Sequence, residues 1–262
     1  MDALVARYAD TGIVGMTSIG KSVRGREIYN ISVGTKDGST KITINATHHS
    51  NEYINTILVL NQIERVLQMH RDNEEYNGLG VRQLLSKAQI HFIPLVNPDG
   101  LEAYIKYTRT GVLEEGFSKS GIHRFNANNV NLNRNYDARF RANVQNSGSY
   151  PFSEPETQAL RELHNQMAFD YSLAYHSEGN VIFWNYGQTG EFYDETLAVA
   201  RMLGEQTGYA LDMLPAAKSR YIGGIADFGG YKDWLVTNGF AASTIETSSG
   251  SMMHFGEVVW SA

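Results

Sequence analysis

Apolar and polar residues alternate at period two through KITINAT (41–47), where Ile42, Ile44 and Ala46 interleave with Thr43, Asn45 and Thr47. That alternation predicts a strand. From Tyr53 the period lengthens: Ile54, Ile57, Leu58, Leu60, Ile63, Val66 and Leu67 recur at threes and fours, which predicts an amphipathic helix. Ser50 or Asn51 is expected to cap it, since a short polar side chain accepts from the orphan amides of a first turn. Residues 2–9 form a short amphipathic segment. Residues 17–34 read as a hairpin turning at Arg24-Gly25-Arg26, with Ile28, Ile31 and Val33 inward. A short helix is expected near 81–86. The apolar run QIHFIPLV (89–96) is of strand length and stops at Asn97-Pro98-Asp99-Gly100, a turn signal.

Residues 101–150 are rich in Asn, Arg, Gly and Ser, have little periodicity, and read as a long irregular binding loop. Beyond them the pattern predicts a helix over 153–168, opened by a capping box of Ser153 with Glu156. Short strands follow at 170–176 and 180–184, then helices at 191–208 and 228–238, and a last core strand at 239–246. Strands alternating with helices predict an α/β fold: a mixed, mostly parallel twisted sheet with helices on both faces. No repeat or linker divides the chain, so residues 1–262 are expected to form one catalytic domain.

Composition narrows the function classes. A net charge of −6 with both signs interspersed leaves no nucleic-acid footprint, and no apolar run approaches a membrane span. With no Cys, disulfides and thiolate metal sites are excluded, which suits either a reducing cytosol or a bacterial exterior. The first residues, MDALVARYADTG, have no apolar core of the signal-peptide kind.

Three predicted strand ends carry chemistry: His49 with Glu52 after the first, His176 at the end of 170–176, and Glu246 at the end of 239–246. In an open α/β sheet the carboxyl ends of the strands border the ligand crevice. Two imidazoles and a carboxylate are a zinc ligand set, and a further carboxylate completes the minimum for metal-assisted hydrolysis. Each residue alone has an ordinary structural reading; the combination gives the chemistry.

The segments HHSNE (48–52), NPDG (97–100), NLNRN (131–135), FSEPET (152–157), YHSEG (175–179), GGYKDW (229–234) and TIE (244–246) occur in the order found in zinc carboxypeptidases. The chain resembles that family over nearly its whole length. Within it the chain is most similar to bacterial γ-D-glutamyl-L-diamino acid endopeptidases, which cut peptidoglycan stem peptides. The resemblance implies one zinc ion held by His49, Glu52 and His176. It implies Glu246 as general base, Arg124 as the cation polarising the scissile carbonyl, and Asn133 with Arg134 as the holders of a substrate carboxylate. The expected partner is a peptide, with neither nucleic acid nor membrane.

Departures from the family pattern qualify the substrate. Ile225 stands at the offset where digestive carboxypeptidases carry a mobile Tyr, with Tyr221 nearby but out of register. Lys232 is either a partner for a substrate carboxylate, such as that of a diaminopimelate side chain, or a plain surface lysine. Glu178 replaces a more usual Gln, as an orienter near the metal or as a specificity change. The chain stops soon after Glu246, at 258–262, where relatives tend to continue. Removal of ordinary C-terminal residues, and a silent binding relative, are the alternative readings.

Overall fold

The structure, a computed structural model, describes residues 1–212 and 228–247. The chain opens with α1 (Asp2–Arg7) and the antiparallel pair β1 (Val14–Lys21) and β2 (Glu27–Gly34). Next come β3 (Thr40–Ala46) and α2 (Ile54–Arg71). The small hairpin β4 (Glu75–Tyr76) and β5 (Leu79–Gly80) leads to α3 (Val81–Leu85), β6 (Ala88–Ile93) and α4 (Pro98–Thr110). After a long loop follow α5 (Pro155–Gln166), β7 (Tyr171–Ser177), β8 (Val181–Phe183) and α6 (Glu191–Thr207). Then β9 (Ala210–Leu211), α7 (Tyr231–Thr237) and β10 (Ala242–Thr247) complete the described elements.

Eight strands make one sheet in the order β1-β2-β6-β3-β7-β10-β8-β9. Its four central strands, β6, β3, β7 and β10, run parallel, while β2 is antiparallel to β1 and β6, and β8 is antiparallel to β10 and parallel to β9. On one face a single apolar cluster joins Leu58, Val59, Ile63 and Leu67 of α2 and Leu197 and Ala200 of α6 with sheet residues that include Ile31, Phe92, Ile182 and Ile245. On the other, Leu160 and Leu163 of α5 and Trp234 and Leu235 of α7 pack with Ile28 and Ile93. Both faces are therefore covered, as the alternating pattern predicts. No helix among the described residues is long and apolar enough to cross a membrane.

Several expectations are corrected. In β3 the polar positions Thr43 and Asn45 are fully buried and Ile42 and Ile44 only half-buried, because helices cover both sides of a central strand. The first turn after β3 is a short 3-10 turn, Ser50–Glu52, and α2 starts at Ile54 with no side-chain cap. Ser50 instead donates its hydroxyl to the Ile122 carbonyl. NPDG is the start of α4 as well as a turn: Asn97 caps Gly100 N–H at 2.9 Å and Pro98 takes the first helical turn. So residues 98–110, read as loop, are helical. The capping box at Ser153 is not formed, since Pro155 at the first turn sets Glu154 as the cap position. Ser153 bonds Glu154, and Glu156 is buried, accepting from Val23 N–H and the Asn126 amide. Ile225, Tyr221 and residues 258–262 lie outside the described residues.

Candidate metal centre

Because β3, β7 and β10 are parallel neighbours, their carboxyl ends open on one edge, and the sequence places a metal-ligating type at each. His176 and Glu246 are direct register partners across β7 and β10. Past β3 the chain kinks at Thr47, whose φ of 59° is uncommon for a β-branched residue. The kink is held by Thr47 Oγ1 against Thr56 Oγ1 at 2.8 Å and by Asn97 N–H on the Thr47 carbonyl at 3.1 Å. It turns His49 into the crevice, and the 3-10 turn brings Glu52 round beside it.

His49 Nδ1 lies 2.6 Å from Glu52 Oε1, and His176 Nδ1 lies 2.9 Å from Glu52 Oε2. The two Nδ1 atoms are 3.2 Å apart. All three residues are buried, and their ligand atoms fall within 4.8 Å of one another. Four ligands at the usual zinc distances of about 2.0–2.1 Å stand about 3.3 Å apart around a tetrahedron, close to these separations. Two imidazole nitrogens and a carboxylate aimed at one point therefore fit one zinc ion. Asn131 supports this. Its Oδ1 accepts from Asn133 N–H and faces His49 Nε2 at 3.1 Å, so His49 carries its hydrogen on Nε2 and offers Nδ1 to the centre.

Electrostatics agree. Burial pushes the His49 imidazole down to about 4, with the Glu52 charge pulling the other way. Burial opposes charge on His176 too, but the charge and hydrogen bond of Glu52 win and raise it. Glu52, despite burial, is held well below the carboxylate range by the two imidazoles. The Glu52 charge thus favours a proton on His176, which a divalent cation displaces. Burial raises the Glu246 carboxyl to about 7, His176 pulling it down and Glu52 adding to the rise. A bound cation pulls it down again.

Of the remaining expected residues, Arg124 and Asn133 approach the trio. Arg124 Nη1 is 3.8 Å from Glu52 Oε1, with its side chain 40% exposed towards the crevice. It is set there by Asn97, which bonds the carbonyls of both His48 and Phe125. Asn133 Nδ2 is 3.5 Å from His176 Nε2, and its Oδ1 accepts from Tyr231 N–H at 2.9 Å. Arg134 is buried, donates to the Asn133 carbonyl and Gln145, and faces the Phe228 ring. Gly229 is required behind this turn, since a Cβ there would stand 2.0 Å from the Arg134 carbonyl oxygen. Lys232 is neither solvated nor free: it is 6% exposed, bonded to Asp233 Oδ1 and 3.3 Å from the Asn185 carbonyl. Glu178 is exposed past β7 and outside the cluster of ligands.

Sequence reasoning missed two residues. Asn131 orients His49, and the density of Asn in NANNVNLNRN was the available signal. Buried His48 stacks on His176 at 5.4 Å between ring centres and bonds Tyr136 Oη at 2.9 Å. No spacing singles it out.

The zinc carboxypeptidase profile matches residues 1–258. The chain is 26% identical to γ-D-glutamyl-L-diamino acid endopeptidase 1 of Lysinibacillus sphaericus over 257 residues, covering 90% of this chain and 61% of that protein. It spans less than two thirds of the length of the bacterial relatives it matches. Among solved structures, thrombin activatable fibrinolysis inhibitor superposes with a TM-score of 0.73 at 21% identity, over 94% of this chain and 63% of that one. The murein-tripeptide amidase MpaA of Escherichia coli O157 does so with a TM-score of 0.58 at 19% identity, over 90% and 84%. Sheet order, the His–Glu–His centre and the profile agree: the chain belongs to the zinc carboxypeptidase family of metallopeptidases.

Proposed function

We propose that the protein hydrolyses γ-D-glutamyl-L-diamino acid bonds in peptidoglycan stem peptides, as a single catalytic unit. The observation that carries the catalytic part is Glu246, register partner of His176, half-buried at the open edge of the sheet beside the three ligands. Zinc held by His49, Glu52 and His176 supplies Lewis acidity towards water and the scissile carbonyl. Glu246 takes a proton from the attacking water and delivers it to the leaving amine nitrogen as the C–N bond breaks. Arg124 faces the crevice and donates to the carbonyl oxygen as negative charge grows on it. Asn133 and Arg134 hold the substrate carboxylate, for which a guanidinium fork is suited.

The choice of bond is supported by the named activity of the Lysinibacillus relative. The second reading is removal of ordinary C-terminal residues, favoured by the family and by a buried Arg134 at the crevice. A non-catalytic binding role is the weakest, because nothing in binding alone requires Glu246 in register with His176. Incubating the zinc-loaded protein with L-Ala-γ-D-Glu-diaminopimelate should release free diaminopimelate. Cleavage of N-blocked dipeptides with the stem tripeptide left intact would replace this reading by the second.

A further inference from the structure

Just after the Asn133–Arg134 turn the loop carries two guanidiniums, on Arg139 and Arg141, that the proposed reaction leaves unused. Both side chains are exposed, and both lie over aromatic rings: Arg139 5.1 Å from the centre of Tyr186, Arg141 5.4 Å from that of Phe228. The same two rings receive the other cations of the neighbourhood. Arg134 is 5.9 Å from the centre of Phe228, and Lys232 Nζ is 5.1 Å from that of Tyr186. Two rings thus gather four cations beside the turn assigned to the substrate carboxylate, on a chain whose net charge is −6.

Among the described residues, the anion bonded within this group is Asp233, through Lys232. It is buried there and also lies within the field of Arg134 and Arg139. No carboxylate among the described residues is bonded to Arg139 or Arg141. Gathering like charges costs free energy that an incoming anion recovers. Stacking restricts each guanidinium while its N–H groups remain available as donors. Arg139 also has a φ of 50°, a left-handed conformation uncommon for a long side chain, of the kind that surroundings impose at ligand-binding sites.

We infer that Arg139 and Arg141 form a second carboxylate subsite, selecting peptides whose terminal residue carries a side-chain carboxylate besides its α-carboxylate. The inference rests on the proposed function in taking Asn133 and Arg134 as holders of the first carboxylate. Lys232 is not the selector, because Asp233 already occupies it. Two sources share this chemistry: diaminopimelate at the end of a stem peptide, and glutamate at the end of an ordinary peptide.

The test uses two matched pairs of substrates with the zinc-loaded protein. Stem tripeptides end in diaminopimelate or in lysine, and N-blocked dipeptides end in glutamate or in glutamine. The readout is the ratio of kcat/KM within a pair, so loss of folded protein lowers both members and leaves the ratio intact. The native protein should favour the diacid member at least tenfold, and the R139Q/R141Q double variant should bring the ratio to within twofold. Cleavage of the dipeptide pair alone, with that preference, discards the γ-glutamyl reading and keeps the subsite. Cleavage of stem peptides with no preference, or a ratio unchanged in the double variant, overturns the subsite and keeps the reading. If neither pair is cleaved, calorimetric titration with free diaminopimelate against free lysine decides: equal affinity overturns it, and tighter binding of the diacid that is lost in the double variant upholds it.

Discussion

The centre is assembled from two kinds of backbone. His176 and Glu246 stand at the ends of parallel strands inside a sheet covered on both faces, where hydrogen-bonded register sets their separation, and His49 follows the neighbouring strand β3 just past its kink. Arg124, Asn131, Asn133 and Arg134 come instead from the loop between α4 and α5. There Asn129, Arg139, Asn143, Gln145 and Asn146 adopt positive φ, and side-chain amides bonded to backbone replace strand ladders. On the proposed function, the strand part fixes where a cation sits and where a proton is taken, while the loop part aims substrate and, through Asn131, orients a ligand.

That division predicts separable failures. The largest effect belongs to the strand part: Glu246→Gln should lower kcat by about 10²–10⁴-fold while the zinc content stays at one per chain, measured by metal analysis beside steady-state kinetics. A variant with normal turnover would remove Glu246 from proton transfer. Next comes Arg124→Ala, which should cost about 10²–10³-fold, mostly in kcat, as loss of an oxyanion donor does; a change confined to KM would make Arg124 a simple binding contact. Asn131→Ala should weaken zinc about 10–100-fold, read by competition with a chelating dye, because His49 loses the partner that fixes its tautomer. In the native protein, zinc affinity should fall as pH drops through the raised pKa of His176, since the proton on Nδ1 competes with the cation.

The smallest effect concerns stability. His164, beneath the centre and bonded to the Leu160 carbonyl and Ser172, is driven by burial down to about 4. Its folded pKa lies below the unfolded value near 6.5, so its contribution is present above pH 6.5 and is lost as pH falls towards 4. The loss amounts to at most about 3 kcal/mol. Thermal midpoints at pH 7 and pH 5 should differ less in His164→Gln than in the native protein; an equal difference would move the acid sensitivity elsewhere.

The same division explains what could be read from residues. His49, His176 and Glu246 are legible because each follows or ends a segment read as a strand, and parallel strands bring such ends together; Glu52 comes with His49, three residues on in the turn. Their catalytic roles came from resemblance alone. The plain surface reading of Lys232 fails, because nothing in GGYKDW shows that Asp233 folds back onto it and buries it. Helix α4 was read as loop because it shows few apolar positions, with Ala103 and Tyr104 its buried hydrophobic residues. The support of His49 by Asn131 depends on a loop whose path follows from hydrogen bonds between segments, and no local period encodes those.

The central claim is that His49, Glu52 and His176 together hold one zinc ion. X-ray absorption at the zinc edge of the metal-loaded protein tests it most directly. The account predicts one zinc per chain, with two imidazole nitrogens and carboxylate oxygen at about 2.0–2.2 Å, and loss of that stoichiometric zinc in His176→Ala. A full complement of zinc in His176→Ala, or a shell without imidazole in the native protein, would contradict it.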